Sequence, residues 1–158
     1  MNTSWEPVPI HIVVLAAGKG TRMKSAIPKV LHPVAGSSLI DLVLTTASAL
    51  SPQTVVVVLG HRAELVRAGL STRSGLTFVV QEPQLGTGDA LLKTAPVFDG
   101  AIGTLVLLSG DVPLLSTRTL ENLIDHHVAT YQRTIYPPDC PADPDNAVIR
   151  RRTQTPHL

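Results

Sequence analysis

The chain alternates short, unbroken apolar runs with stretches in which apolar residues recur at helical spacing. The first run, about Ile10 to Ala16, contains Ile12-Val13-Val14-Leu15. Thr54 to Leu59 is almost wholly valine and leucine, and Leu76 to Val80 and Thr104 to Leu108 are of the same kind. Runs that are short, β-branched and bounded by turn residues predict strands buried on both faces of a parallel sheet. Between them, Ser38 to Leu50 sets Leu39, Leu42, Val43, Thr46 and Leu50 on one helical face, and Ser51-Pro52 closes that helix. Shorter helices are predicted over Ala63 to Ala68 and Asp89 to Ala95, and a short extended piece at Val30-Leu31. Ser116 suits the N-cap of a helix from Thr117 to about Thr130, with Leu120, Leu123, Ile124, His127 and Val128 facing the core. Strands alternating with helices predict a three-layer α/β fold with a mainly parallel sheet. In such sheets ligands bind beyond the carboxyl ends of the strands.

The pattern lapses at both ends. Residues 1–9 read as an N-terminal tail, with Pro7 and Pro9 blocking regular structure. Residues 10–130 read as one domain. From Tyr131 no period survives, and Pro137, Pro138, Pro141, Pro144 and Pro156 crowd the remaining residues. Residues 131–158 therefore read as an irregular, proline-rich tail foreign to the fold, of the kind left by a truncated or frameshifted gene or an incomplete gene model.

Composition narrows the function. Of 158 residues 44% are hydrophobic but only 3% aromatic, so the core must be aliphatic. A net charge of +1 provides no global field for nucleic acid or membrane, so any attraction for anions must be local. Cys140 is the only cysteine and makes no intrachain disulfide. No signal peptide and no membrane-length apolar run is read, which points to a cytoplasmic protein.

Chemistry concentrates where the first strand ends. Leu15-Ala16-Ala17-Gly18-Lys19-Gly20-Thr21-Arg22-Met23 is followed by Pro28-Lys29-Val30-Leu31-His32. Two glycines let backbone N–H groups approach a ligand, and Lys19, Arg22, Lys24 and Lys29 supply positive charge. The segment fits a polyphosphate. It is not a dinucleotide fingerprint, because Met23 holds the third glycine position, and it is not a P-loop, because no Gly-Lys-Ser/Thr follows at the required spacing. Gly-x-Gly alone favours an ordinary strand-to-helix turn with incidental surface lysines; Arg22 and Lys29 close by shift the balance to phosphate.

These two segments resemble the signature of the sugar-nucleotide pyrophosphorylases. Within these they are most similar to the uridylyltransferase domain of the bacterial bifunctional GlmU family, which joins N-acetylglucosamine-1-phosphate uridylyltransferase to glucosamine-1-phosphate acetyltransferase. Two further loops strengthen the resemblance. Gln81-Glu82-Pro83-Gln84-Leu85-Gly86-Thr87-Gly88 is similar to the family's uracil-recognising segment. A Gln amide carries both a donor and an acceptor, as the imide edge of uracil requires. Asp89 stands where the family commonly has histidine, outside the expected nucleotide contacts. Ser109-Gly110-Asp111-Val112-Pro113-Leu114 looks like the family's Gly-Asp-x-Pro-Leu metal motif. An aspartate there suits Mg²⁺, which takes one or two carboxylates plus phosphate oxygens. Ser109 replaces a frequent tyrosine.

The resemblance implies a Rossmann-like fold of the nucleotide-diphospho-sugar transferase type, C-terminally incomplete. It implies catalytic Arg22 and Lys29, nucleotide binding by Leu15, Ala16, Ala17, Gly18, Lys29, Gln81, Gly86 and Thr87, and Mg²⁺ held by Asp111. The implied reaction converts UTP and N-acetylglucosamine-1-phosphate to UDP-N-acetylglucosamine, a cell-wall precursor, and pyrophosphate. The resemblance covers about Ile10 to Thr130. The family's later Gly-Tyr-Gly-Arg segment, its sugar-contacting glutamate and asparagine, and its second metal-binding asparagine are not recognisable, and Asn146 sits in no matching motif. A nucleotide-binding remnant without activity and a transferase for another sugar or base are the alternatives. His32 is expected to pack or hydrogen-bond. His126 and His127 are adjacent and cannot share a metal from one helix face. Arg150-Arg151-Arg152 reads as a solvated charge run, and neither a nucleic-acid nor a membrane partner is expected.

Overall fold

The computed structural model describes residues 8–18, 20 and 23–133. The elements are β1 (Ile10–Ala16), a 3₁₀ turn (Lys29–Leu31), β2 (Pro33–Val34), β3 (Ser37–Ser38), α1 (Leu39–Ser48), β4 (Thr54–Leu59), α2 (Ala63–Gly69), β5 (Leu76–Val80), α3 (Thr87–Thr94), a second 3₁₀ turn (Ala95–Phe98), β6 (Thr104–Ser109) and α4 (Thr117–Arg133). The main sheet has four strands in the order β5-β4-β1-β6, every pairing parallel. β2 and β3 form a separate two-residue antiparallel pair that the apolar pattern does not predict.

β1 is the centre of the sheet because both its faces are apolar. Ile12, Val13 and Val14 are all 0% exposed. Alternate residues serve opposite layers. Ile12, Val14 and Ala16 join Val55, Val57 and Leu59 of β4 under α1, α2 and α4. Val13, Val56 and Val58 face the other way, against Ala90 of α3 and half-buried Val97 and Phe98 of the second 3₁₀ turn. These are the three layers predicted. The chain winds from β1 through β4 to β5 on one side, then returns to place β6 on the other. That reversal opens a crevice at the carboxyl ends of β1 and β6, the usual ligand position in a doubly wound sheet.

Several sequence expectations shift. The buried stripe of α1 is Ile40, Val43, Leu44 and Ala47, while Leu39, Leu42 and Thr46 are half-buried flanks. The apolar arc of this helix is wider than a single-face reading allows, and the sheet takes its centre. On α4 the core stripe is Leu120, Ile124 and Val128, spaced four apart, and Leu123 and His127 are exposed. Val30-Leu31 is a 3₁₀ turn rather than an extended piece: Pro28 sets the entry, Leu31 N donates to Pro28 O at 2.9 Å, and Val30 turns inward to 5% exposure. Ser38 caps α1 by accepting from Asp41 N, and Ser116 accepts from Thr119 N at the start of α4. α4 continues to Arg133, past the predicted end near Thr130. Pro9, assigned to the tail, is tied to the sheet: its carbonyl accepts from Thr104 N at 2.8 Å. Residues 1–7 and 134–158, with most of both predicted tails, lie outside the described residues.

Candidate active site

The parallel pairings bring three distant loops to one place. β6 lies beside β1 with Ser109 opposite Leu15, and Gly110 N donates to Leu15 O at 2.9 Å. Asp111 is thereby held next to the loop that leaves β1. On the other flank Gln81 N donates to Leu59 O at 2.7 Å, which carries the β5 end over β4. A cleft of about 330 Å³ results, large enough for part of a nucleotide, lined by Leu15, Ala17, Gly18, Lys29, Val30, Gln81, Gln84, Gly86, Thr87, Ala90, Ser109 and Asp111. A larger hollow, about 630 Å³, lies at the opposite end of the strands by Ile10, Leu50 and Arg118. It is built on no convergent loops, so size is a poorer guide here than position.

Lys29 is positioned by its own turn. Val30 and Leu31 anchor the 3₁₀ turn on one side, and a β-carbon on Gly69 of α2 would lie 2.8 Å from Leu31 Cδ2, so the packing is tight. The Lys29 side chain then reaches across the cleft. Its Nζ donates to Asp111 Oδ2 at 2.5 Å, and Ser109 Oγ donates to Asp111 Oδ1 at 2.7 Å. The hydrogen bond from Lys29, then that from Ser109, holds the Asp111 carboxyl below its ordinary value, against the opposing effect of burial. Gly20 is needed for this arrangement. It has φ +59°, and a β-carbon there would stand 3.0 Å from Lys29 Cβ.

At the other end of the cleft Gln81 is 4% exposed. Its Nε2 donates to Gly86 O and to Asp89 Oδ2, both at 2.8 Å. Gly60, at the end of β4, lets the Gln84 loop settle against the β1 loop: a β-carbon there would collide with the Gln84 amide and lie 2.7 Å from Ala17 O.

Of the predicted site residues, Leu15, Ala17, Gly18, Lys29, Gln81, Gly86, Thr87 and Asp111 all line this cleft. Ala16 does not. It is 4% exposed and packs with Ile12 and Val14 on the opposite face, since neighbours in a strand point to opposite sides. Arg22, with Lys19 and Thr21, lies outside the described residues. Asp89 was expected outside the nucleotide contacts, yet it holds Gln81 directly. Gln84 and Ser109 also line the cleft without having been assigned roles. Both stand in loops already marked by their glycines, so the loops were legible although these side chains were not.

Among the described residues no group of three or more His, Cys, Asp or Glu side chains could hold a metal. Asp111 is a solitary carboxylate with one oxygen on a lysine. That donor set fits Mg²⁺ only if phosphate oxygens and water complete the shell, the ordinary mode for this ion. Among the described residues no helix is long and apolar enough to cross a membrane.

Residues 12–156 match the family model of the MobA-like NTP transferase domain. The match continues into the stretch after residue 130. The bifunctional protein GlmU of Prochlorococcus marinus is 52% identical over 118 residues, which are 75% of this chain and 26% of that protein. The chain thus spans about a quarter of the length of the curated relatives it matches. A nucleotidyl transferase from Methanothermobacter superposes with a TM-score of 0.64 at 27% identity, covering 75% of this chain and 57% of the other. Rv0371c from Mycobacterium tuberculosis, crystallised as a complex with manganese, superposes with a TM-score of 0.63 at 31% identity, covering 77% of this chain and 61% of the other.

Proposed function

The chain belongs to the family of MobA-like NTP transferase domains, and from that membership we propose that it transfers a uridylyl group from UTP to N-acetylglucosamine-1-phosphate with Mg²⁺, forming UDP-N-acetylglucosamine and pyrophosphate. The observation that carries this reading is the convergence of Gly18, Lys29, Gln81 and Asp111 on one cleft at the carboxyl ends of the strands. The likeness to GlmU proteins supports the choice of UTP and of this sugar phosphate. The manganese complex of Rv0371c supports the use of a divalent cation.

The reaction requires no side-chain nucleophile. A phosphate oxygen of the sugar phosphate attacks the α-phosphorus of UTP in line. The bond between the α-phosphorus and its bridging oxygen to the β-phosphorus breaks, and pyrophosphate leaves with the electron pair. Catalysis is then positioning and charge compensation. The backbone beyond Ala17 and Gly18 would hold the triphosphate. Gln81, with Gly86 and Thr87, would hold the base. Lys29 would leave Asp111 and approach the α-phosphate and the incoming phosphate, and Arg22 would balance charge on the leaving pyrophosphate. Asp111, freed from Lys29, would hold Mg²⁺, which would offset the charge of the phosphates when bound. The observed ion pair keeps these two side chains compensated until a phosphate and a cation can each replace the other partner.

The test is pyrophosphate release by the 158-residue chain with UTP, N-acetylglucosamine-1-phosphate and Mg²⁺. Release that needs all three supports the proposal. Thermal stabilisation by UTP without turnover selects nucleotide binding alone. Turnover with CTP or GTP in place of UTP selects a different base.

A further inference from the structure

At the base end of the cleft the mechanism above leaves a polar contact without a role: Asp89, on the first turn of α3, accepting from the buried amide of Gln81. Gln81 Nε2 has two partners, the Gly86 carbonyl and Asp89 Oδ2, each at 2.8 Å. Neither partner can donate, since a carbonyl and an ionised carboxylate only accept. Turning the amide over would set Oε1 against both of these oxygens inside a site where Gln81 is only 4% exposed. An unpaired oxygen facing acceptors in such surroundings is costly. The two acceptors therefore fix which way the amide points. Oε1 enters neither of these contacts, and it belongs to a side chain that lines the cleft. Had residue 89 been able to donate as well as accept, Oε1 could have taken a hydrogen bond from it and the amide would serve either kind of ligand.

We infer that Asp89 is a specificity-positioning residue: by locking Gln81 it commits the base end of the cleft to a hydrogen-bond acceptor, and so selects a base whose ring nitrogen carries hydrogen over one whose ring nitrogen is bare. Uracil qualifies through N3–H. Cytosine does not, because its N3 is itself an acceptor and would meet Oε1 oxygen against lone pair. The inference rests on the UTP reading above and adds the source of its selectivity. Sites built around a fixed hydrogen-bonding group reject the mismatched analogue strongly, because the buried group is then left unpaired.

The experiment is equilibrium titration of the full chain with UTP and with CTP, both with Mg²⁺, for the unsubstituted protein, Asp89→Leu and Asp89→Asn, with melting curves on each. The unsubstituted chain should prefer UTP by at least about tenfold, the cost of leaving one buried acceptor unpaired. Asp89→Leu removes one of the two locks and should reduce that preference by roughly tenfold. Asp89→Asn, which can donate to Oε1 as well as accept from Nε2, should lower it too, by less than Asp89→Leu. Should Asp89→Leu not melt cooperatively, Asp89→Ser, which can donate to Oε1, is expected to lower the preference in the same way. A Leu or Ser variant that melts normally and keeps the full UTP preference overturns the role of Asp89 and leaves the UTP reading standing. Equal binding of UTP and CTP by the unsubstituted chain overturns both.

Discussion

Replacing Lys29 with methionine should separate catalysis from stability. The substitution keeps the length and apolar stem of the side chain and removes its charge. In the folded protein Lys29 Nζ is 2.5 Å from Asp111 Oδ2, with the two side chains 37% and 27% exposed. Two unit charges at that separation attract by about 1.7 kcal/mol in a water-like dielectric. Holding two mobile side chains in one geometry offsets much of this, and pairs so open to solvent contribute roughly 0.2–1 kcal/mol. The neighbouring turn is held by Val30 and Leu31, which the substitution leaves alone. The melting temperature should therefore fall by less than about 4 °C. Turnover should suffer far more, because the charge would be lost where phosphate charge is redistributed. Removal of one such donor costs about 100- to 1,000-fold. The assay is pyrophosphate release under saturating substrates, beside calorimetric melting of the same samples. Turnover within a few-fold of the unsubstituted chain would refute the catalytic assignment. A melting temperature lowered by about 10 °C or more would show the pair to be structural instead.

Other outcomes follow from the same geometry. The Asp111 carboxyl is held below its ordinary 3.8, so the stability it contributes is complete above that value and is lost as pH falls through the lower folded-state value. In acid titrations followed by circular dichroism, the small stability difference between the unsubstituted chain and Lys29→Met should accordingly close below about pH 3.8. Gly20→Ala should cost about 1 kcal/mol for a left-handed backbone and should crowd Lys29, lowering turnover more than melting temperature. Ser38→Ala removes the cap that accepts from Asp41 N and should cost about 1 kcal/mol in urea unfolding, with turnover unchanged. Ile12→Ala, at a position with 0% exposure, should cost about 2–5 kcal/mol through the cavity it leaves.

The strands were the most legible part of the sequence. Ile10–Ala16 and Thr54–Leu59 begin and end where their apolar runs do, because a strand covered on both faces has few polar positions to blur its limits; Leu76–Val80 keeps its run's limits too, although at the sheet edge none of its residues is buried. Helices were harder. Leu123 shares its spacing with Leu120 and Ile124, yet it is 60% exposed, since the sheet touches only a narrow strip of α4. The 3₁₀ turn at Lys29–Leu31 was hidden for another reason. A three-residue run has no period, and its shape depends on where Val30 finds a core to enter. In the site, the loops were visible through their glycines and charges, but side-chain partners were not. Nothing in the order of residues shows that Lys29 reaches Asp111, or that Asp89 lies under Gln81. The first contact exists because parallel strands far apart in sequence end at the same level; the second is local, made where the loop after β5 turns into the first turn of α3. Ala16 shows the converse: it sits inside the signature and still faces away from the cleft.

The most direct measurement follows the α-phosphorus itself. UTP labelled at that atom is incubated with the chain, N-acetylglucosamine-1-phosphate and Mg²⁺, and the products are separated. The expected result is label in the nucleotide sugar, unlabelled pyrophosphate in equal amount, and loss of both products in Asp111→Asn. Label that stays in UTP, or that passes to UMP whether or not the sugar phosphate is present, would contradict nucleotidyl transfer at this cleft.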